Sequence, residues 1–206
     1  MRAAIIGTSF ISEIHFRELS KKKFSEIFII SRNKKRARDF IKKNKEGYIG
    51  KLLIGNKKNL QDTKFDFISL CTNTKTHYKY LLLLNKVSCL IFVEKPLFSI
   101  NQHTNTEKAL NNIYNKNQKI ATSYPMKYLA KSFIKKFKFK KKIEKLEIFY
   151  QTRGSHKFKD IADDLLPHAL SLLYCLTKKT NTTLGEIKKF KSNSKENSWS
   201  SKIYFD

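Results

Sequence analysis

The sequence predicts an α/β protein whose first part is a doubly wound parallel sheet. Two observations predict this fold class: short apolar runs recur along the chain, and segments with helical periodicity lie between them. Runs without polar alternation are typical of strands buried on both faces of a parallel sheet, and their alternation with helices favours repeated β-α-β units. The predicted strands are Ala3–Ile6, Ile27–Ile30, Phe65–Leu70 and Leu90–Val93.

Helices are predicted between these strands. Asn33 and Thr74 are predicted N-caps, because their side-chain oxygens can accept hydrogen bonds from the first amides of a helix. The predicted helices are Ile11–Leu19, Lys34–Lys45 and His77–Lys86. A helix from Ser99 through Ile113 and a strand over Lys119–Tyr124 are expected to complete a first domain at residues 1–123.

A second domain is predicted at residues 124–206. The basic, phenylalanine-rich stretch Lys131–Lys145 is interpreted as an amphipathic helix with its lysines facing water; the alternative is a nucleic-acid stripe. The chain stops inside a strand-like run, so we expect an incomplete α/β domain with an open sheet, or one that another chain completes. Its remaining predicted elements are the helix Asp163–Leu176 and the strands Ile143–Tyr150, Gly185–Phe190 and Ser201–Phe205.

The chain carries a large positive charge. Its 206 residues include 43 Lys and Arg against 17 Asp and Glu, which gives a formal net charge of +26. Such a balance indicates either a nucleic-acid or other polyanion partner, or lysines that coat every solvated face. Because blocks of like charge are more often solvated than specific, we expect the lysine coat and do not expect nucleic acid as a partner.

Several classes of protein are excluded by composition. A hydrophobic content of 40% is too high for a disordered tail. Cys71, Cys89 and Cys175 lie far apart without a CxxC spacing, so we predict no disulfide framework and no metal site, and expect three buried small hydrophobes. No apolar run approaches the roughly 18 residues of a membrane span, and the start does not resemble a signal peptide, so a cytoplasmic protein without a membrane partner is expected.

A candidate phosphate-binding turn follows the first predicted strand. The segment Gly7-Thr8-Ser9-Phe10-Ile11-Ser12 opens the first helix, where a dinucleotide fold holds pyrophosphate on backbone N–H groups. Only the first glycine of G-x-G-x-x-G is present, and two serines occupy the other glycine positions. The alternative is a plain tight turn.

The end of the second predicted strand bears on cofactor choice. An acid is expected there if the ribose 2′-hydroxyl of NAD is bound, and the sequence reads Ser31-Arg32-Asn33 instead. A guanidinium without a nearby carboxylate favours the 2′-phosphate of NADP, because arginine forms paired hydrogen bonds to phosphate. NADP is therefore the predicted cofactor, with NAD as the second choice. The alternative is an ordinary surface arginine.

Three segments further along carry a family resemblance. Cys71-Thr72-Asn73-Thr74-Lys75-Thr76-His77, Val93-Glu94-Lys95-Pro96-Leu97 and Asp164-Leu165-Leu166-Pro167-His168, the last opening a predicted late helix, are similar in order and spacing to the signatures of the glucose–fructose oxidoreductase and inositol dehydrogenase (Gfo/Idh/MocA) family. The resemblance covers residues 1 to about 176. It implies a Rossmann domain followed by an α/β domain, and hydride transfer between NAD(P) and a hydroxyl carbon of a sugar, polyol or nucleotide sugar.

The resemblance also implies roles for individual residues. Lys95 would be the catalytic lysine, His168 the general base, and Asp164 the residue that orients His168 or binds substrate; an ammonium beside a developing alkoxide stabilises it. Tyr124 would contact substrate. The residues expected at the cofactor are Gly7, Thr8, Ser9, Phe10, Ile11, Ser31, Arg32, Cys71, Thr72, Asn73, His77, Glu94, Lys95 and Pro96.

Alternatives to this assignment remain. Asn73 stands where the family usually has proline, and His77 is as well suited to a structural role as to a cofactor contact. The competing functional class is a non-catalytic or decayed Rossmann-like nucleotide-binding protein, or a basic protein that binds polyanions. The expected partners of the leading hypothesis are a sugar-like small molecule and a second copy of the chain, joined through the second-domain sheet.

Overall fold

The structure is a computed structural model, and it describes residues 1–98, 119–137, 158–177, 182–191 and 197–205, together with Lys108 and Asn111. The chain divides into two compact units, Met1–Ser123 and Tyr124–Asp206. In the described part of the chain, no helix is both long enough and apolar enough to cross a membrane.

The first unit contains a six-stranded parallel sheet. Its strands are β1 (Arg2–Ile6), β2 (Glu26–Ile30), β3 (Lys51–Gly55), β4 (Phe67–Leu70), β5 (Leu90–Val93) and β6 (Ile120–Thr122). They lie in the order β3-β2-β1-β4-β5-β6. This is the order of the Rossmann fold, with its reversal of direction between β1 and β4. The predicted doubly wound sheet is confirmed.

Helices connect the first five strands. They are α1 (Phe10–Ser20), α2 (Lys34–Asn44), α3 (Lys57–Asp62) and α4 (Thr74–Leu83). Successive residues of β1 alternate between two apolar clusters, one containing Ala3 and Ile5 and the other Ala4 and Ile6. Because adjacent side chains of a strand point to opposite faces, the sheet is buried on both sides, as its continuous apolar runs predict.

Some local predictions are wrong. Strand β3 and helix α3 were not predicted, because Leu52-Leu53-Ile54 is a short apolar run on a partly exposed edge strand. Helix α4 begins at Thr74 rather than at His77, and its N-cap is Asn73 rather than Thr74. Asn73 is the N-cap because its side-chain oxygen accepts a hydrogen bond from Lys75 N at 3.0 Å.

The three cysteines are free and buried, as predicted. Their exposed surface is 2% for Cys71, 9% for Cys89 and 3% for Cys175, which is the behaviour of small hydrophobes.

The second unit contains two helices and an antiparallel strand pair. These are α5 (Pro125–Phe137), α6 (Phe158–Thr177), β7 (Thr182–Lys191) and β8 (Asn197–Phe205). Within the described residues, the basic stretch predicted over Lys131–Lys145 is helical only as far as Phe137, and the helix begins six positions earlier. The predicted strand Ile143–Tyr150 and most of the predicted helix Ser99–Ile113 lie outside the described residues.

Helix α6 corrects a further prediction. It begins at Phe158, so Asp164 and His168 lie within the helix rather than at its opening. Pro167 stands inside the helix as well. A carboxylate gains most from the helix dipole in the first turn, and Asp164 lies beyond that turn.

Candidate active site

Four loops leave the sheet at its carboxyl edge beside the point where the strand order reverses. Backbone hydrogen bonds carry the sheet ladder into three of them: Gly7 N donates to Ile30 O at 2.9 Å, Cys71 N to Ile6 O at 2.9 Å, and Glu94 N to Leu70 O at 3.0 Å. In open α/β sheets this edge forms the ligand-binding crevice. The predicted segments after β1, β2, β4 and β5 thus lie together at the carboxyl edge of one sheet.

Gly7 ends β1 in a conformation that other residues rarely adopt. Its φ is +124°, and a Cβ atom at this position would lie 2.7 Å from the carbonyl oxygen of Cys71. Both the backbone angle and the close approach of the β4 loop therefore require glycine. This is the role of the first glycine in a dinucleotide-binding turn.

The two serines of the same turn bind each other. Ser9 N donates to Ser12 Oγ at 3.1 Å, the two hydroxyls lie 3.2 Å apart, and Ser9 Oγ donates to Cys71 O at 3.4 Å. The two hydroxyls thus stabilise the start of α1, and the role of the Ser9 side chain in the structure is to hold the turn. The first amides of α1, those of Phe10 and Ile11, have no carbonyl acceptor within the helix and can bind an anion. With Gly7 in its special conformation and half-buried Thr8 beside it, the turn fits a pyrophosphate group.

The loop after β2 separates a capping residue from a charged one. Asn33 caps α2, because its Oδ1 accepts from Lys35 N at 2.9 Å and from Arg36 N at 3.3 Å. Its own amide donates to Ser31 Oγ at 3.2 Å. Arg32 is exposed, and the first turn of α2 contains no acidic residue. An exposed cation therefore stands at the end of β2.

The loop after β4 is held by side-chain hydrogen bonds. The hydroxyl oxygens of Thr76 and Thr72 lie 2.8 Å apart, within hydrogen-bond distance, and Asn73 caps α4 as described above. Cys71 is buried at the start of the loop, with its carbonyl against Gly7. Cys71 and Asn73 thus shape the turn.

His77 joins this loop to the loop after β5. It is fully buried, with Nε2 2.9 Å from Thr72 O and Nδ1 3.1 Å from Pro96 O and 3.2 Å from Leu97 O. Burial lowers the pKa of His77, against smaller opposing contributions from these carbonyls. Both ring nitrogens face main-chain carbonyls, so the structure favours the structural role of His77 over a direct cofactor contact.

A second histidine, His15, lies at the centre of a polar cluster that reaches the main chain of Lys95. His15 Nε2 lies 2.7 Å from Glu94 Oε1, and His15 Nδ1 is in contact with Ser69 Oγ. Ser69 Oγ lies 3.3 Å from Cys71 Sγ, and the other carboxylate oxygen, Glu94 Oε2, accepts from Lys95 N at 3.2 Å. The cluster therefore runs without a break from β4 through α1 to the main chain of Lys95.

This cluster is well shielded, and its pairing controls the charge of both partners. The side chains of His15 and Glu94 are 14% and 16% exposed. Burial works against protonation of His15, but its interactions with Cys71 and Glu94 outweigh burial and raise its pKa to about 9. Burial likewise works against ionisation of Glu94, but the hydrogen bond and charge of His15 lower its pKa on balance. An imidazolium–carboxylate pair at neutral pH follows.

This pair predicts a specific dependence of stability on pH. The pKa of His15 is raised from 6.5 to about 9 by folding, so its stabilisation is complete below pH 6.5 and is lost as the pH rises through 9. We expect the free energy of unfolding to fall by about 1–3 kcal/mol across this range. Urea unfolding at a series of pH values measures it, and the same series on His15→Gln should be flatter. Equal slopes in the two proteins would refute the assignment.

The remaining predicted residues lie in the second unit. Tyr124 precedes α5, is partly buried, and has its pKa raised by burial. His168 is partly buried in α6, and Asp164 lies four positions earlier in the same helix.

Sequence reasoning missed His15. Its contact with Glu94 spans 79 positions, so no local motif connects the two residues. One signal was present: Ser12, His15, Phe16 and Leu19 recur at the spacing of one helix face. A histidine on the face that packs on the sheet, one helix after the glycine turn, could have been selected on that ground.

The first 124 residues match a known protein family. A model of the oxidoreductase family with an NAD-binding Rossmann fold, Gfo/Idh/MocA, matches residues 1–124. The chain belongs to the Gfo/Idh/MocA family. Among curated proteins, none matches the sequence significantly.

Solved structures share the fold at low sequence identity. The myo-inositol dehydrogenase of Lactobacillus casei, in complex with NAD(H) and myo-inositol, is 13% identical with a TM-score of 0.73, covering 100% of this chain and 64% of that one. The UDP-N-acetylglucosamine 3-dehydrogenase GnnA of Acidithiobacillus ferrooxidans is 14% identical with a TM-score of 0.67, covering 100% and 66%. The Gfo/Idh/MocA chain thus spans slightly less than two thirds of the length of each of these proteins.

Proposed function

We propose that this Gfo/Idh/MocA chain acts in an NAD(P)-dependent oxidoreductase that transfers a hydride between nicotinamide and a hydroxyl carbon of a sugar, polyol or nucleotide sugar. The observation that carries the proposal is the position of Glu94-Lys95-Pro96. This segment leaves β5 at the same sheet edge as the Gly7 turn, with the Lys95 main chain held by a partly buried carboxylate.

The residues at this edge divide into cofactor and reaction roles. The amides of Phe10 and Ile11, behind Gly7 and Thr8, would hold the pyrophosphate, and Arg32 with Ser31 would face the adenosine ribose. When bound, the nicotinamide supplies the group that accepts or donates the hydride. Glu94 and Pro96 would shape its pocket.

The proposed reaction needs an oxygen stabiliser and a base. The Lys95 ammonium would stabilise negative charge on the substrate oxygen, and His168 would take the hydroxyl proton, with Asp164 orienting His168 or binding substrate. Tyr124 would contact the substrate. The roles of His168, Asp164 and Tyr124 rest on the family resemblance.

The substrate class is proposed from chemistry and from the relatives. The printed descriptions of the two solved structures name myo-inositol and UDP-N-acetylglucosamine, which both carry ring hydroxyls. A ring polyol or nucleotide sugar is therefore the first class to test. The positive charge of this chain would concentrate an anionic nucleotide sugar near its surface.

We further propose that NADP is preferred over NAD. Arg32 is exposed at the carboxyl end of β2, Lys34, Lys35 and Arg36 follow it in the first turn of α2, and that turn has no acid to repel a 2′-phosphate. Arginine suits this group because its guanidinium donates paired hydrogen bonds to phosphate oxygens.

Calorimetric titration with NADP⁺ and NAD⁺, at low and high salt, tests the cofactor proposal. Arg32→Ala should weaken NADP⁺ binding about 10–100-fold, as expected for the loss of charged hydrogen bonds, and should leave NAD⁺ binding nearly unchanged. Arg17→Ala is the matched control, because it removes the same charge from the last turn of α1.

The outcomes of this titration separate the competing functions. An equal effect of the two variants would mean that Arg32 contributes only to the general positive field. Absence of binding to either nucleotide, with strong and steeply salt-dependent binding of RNA, would replace the oxidoreductase with a polyanion-binding protein.

A further inference from the structure

The cluster of Ser69, His15 and Glu94 has the residue order of a hydrolytic triad, but it cannot act as one. Ser69 is fully buried within β4, and its hydroxyl lies between His15 and Cys71 Sγ, so it cannot meet a substrate. The partner at the other end of the cluster is the main-chain amide of Lys95. The cluster can therefore affect a reaction only through its contact with the main chain of Lys95.

His15 is held by residues of two strands and of the loop that follows one of them. Its two ring nitrogens contact Ser69 and Glu94, and its ring packs edge-on against Phe92 with 5.2 Å between centroids. Ser69 and Phe92 are register partners on β4 and β5, so two adjacent strands determine the orientation of the imidazole.

Glu94 transmits this orientation to the next residue. One carboxylate oxygen binds the imidazole at 2.7 Å and the other accepts the Lys95 amide at 3.2 Å. A carboxylate held by both oxygens cannot rotate without breaking one of these bonds, so His15 orients the carboxylate that accepts the Lys95 amide.

We propose that His15 is a positioning residue: its imidazolium holds the Glu94 carboxylate, and through that carboxylate it sets the main chain from which the Lys95 side chain approaches the reacting hydroxyl. This inference rests on the proposed function for its catalytic consequence, but its structural part does not. The same ring also contacts Ser69, whose neighbour Cys71 accepts a hydrogen bond from Ser9, so the pyrophosphate turn and the Lys95 loop are tied to one imidazole.

The geometry is tested on the full chain by nuclear magnetic resonance, without any ligand. The imidazole signal that disappears in His15→Gln should titrate near pH 9 in the unmodified protein and at a lower pH in Glu94→Gln. The Lys95 amide proton should shift in both variants. The groups that face His15 within the described residues are Cys71 and Glu94, so Cys71→Ser is titrated as well to separate their contributions.

Kinetics test the catalytic consequence. His15→Gln and Glu94→Gln should each lower kcat by roughly 10–100-fold, since a small misplacement of a catalytic group is costly. His15→Gln, which removes no group proposed to contact the cofactor, should change the NADP⁺ dissociation constant by no more than about 3-fold. The double variant should be no worse than either single one, because both act through one contact. The alkaline limb of the kcat profile should also move to lower pH in Glu94→Gln.

Glu13→Gln is the matched control. It removes another carboxylate that binds a cation, Lys43, at 2.8 Å, and Glu13 lies on the same helix as His15. It should leave kcat and the Lys95 amide signal unchanged, and far-ultraviolet circular dichroism verifies that every variant is folded.

Three outcomes would overturn the proposal. They are a His15 signal that titrates near pH 6.5 whatever stands at position 94, a Lys95 amide signal that is the same in all variants, and a His15→Gln enzyme with full kcat. If the unmodified chain neither binds nucleotide nor turns over, the proposed function fails, and the imidazole and amide signals still decide whether His15 sets the Lys95 main chain.

Discussion

Lys95→Met is expected to lower kcat by about 10³-fold while leaving the dissociation constant for NADP⁺ within about 3-fold of its original value. Lys95 is half-buried at the carboxyl end of β5, and its main chain is bound to Glu94. In the proposed reaction its ammonium stabilises charge that develops on the substrate oxygen, so its removal affects the transition state more than cofactor binding.

The measurement combines calorimetry with initial rates. NADP⁺ reduction is followed with myo-inositol and with UDP-N-acetylglucosamine as probes, and nucleotide binding is measured on the same preparations. Lys75→Met serves as a control, because Lys75 is an exposed lysine in the first turn of α4. Turnover by Lys95→Met at the original rate would remove Lys95 from the reaction, and loss of nucleotide binding would make it a cofactor ligand instead.

Gly7→Ala is expected to cost about 3–4 kcal/mol of stability and to abolish nucleotide binding. Two separate effects add at this position. The φ of +124° is rarely adopted by residues with a side chain, and the new Cβ would lie 2.7 Å from the Cys71 carbonyl oxygen. A backbone oxygen cannot move aside as a flexible side chain can, so either β1 or the β4 loop must shift.

Gly47→Ala separates the two effects. Gly47 also has a positive φ, of +76°, but a Cβ there would meet nothing within 4 Å. This control should cost only about 1 kcal/mol. Hydrogen exchange of peptides from β1 and β4, measured by mass spectrometry, reports the free energy of opening of the sheet. Equal losses in the two variants would mean that the contact with Cys71 contributes nothing.

The parts of the fold that sequence predicts well are those with strong local patterns. The strands β1, β2, β4 and β5 are mostly apolar runs, and their predicted ends lie within two positions of the observed ones. Strand β3 was not predicted because an edge strand is partly exposed and needs fewer apolar residues. The start of α6 was misplaced because Phe158-Lys159-Asp160 resembles the polar segment before it more than the apolar helix after it.

The candidate site divides along the same line. The Gly7 turn, Arg32 and the Lys95 segment each follow a strand directly and can be read from local order. The pairing of His15 with Glu94, and the burial of His77 between two loops, depend on which strands become neighbours. Such contacts join residues far apart in the chain, and the periodicity of a single segment contains no information about them.

The turn after β4 has one further consequence, for behaviour at different temperatures. Family members with proline there reduce the freedom of the unfolded chain, which is an entropic gain. This chain has Asn73 instead, and it relies on hydrogen bonds from Lys75 N at 3.0 Å and from Thr76 Oγ1 to Asn73 O at 2.8 Å. The loop is thus stabilised by the enthalpy of hydrogen bonds in the folded state rather than by a restricted unfolded chain. Its order should therefore decline more steeply on warming than that of a proline-containing relative.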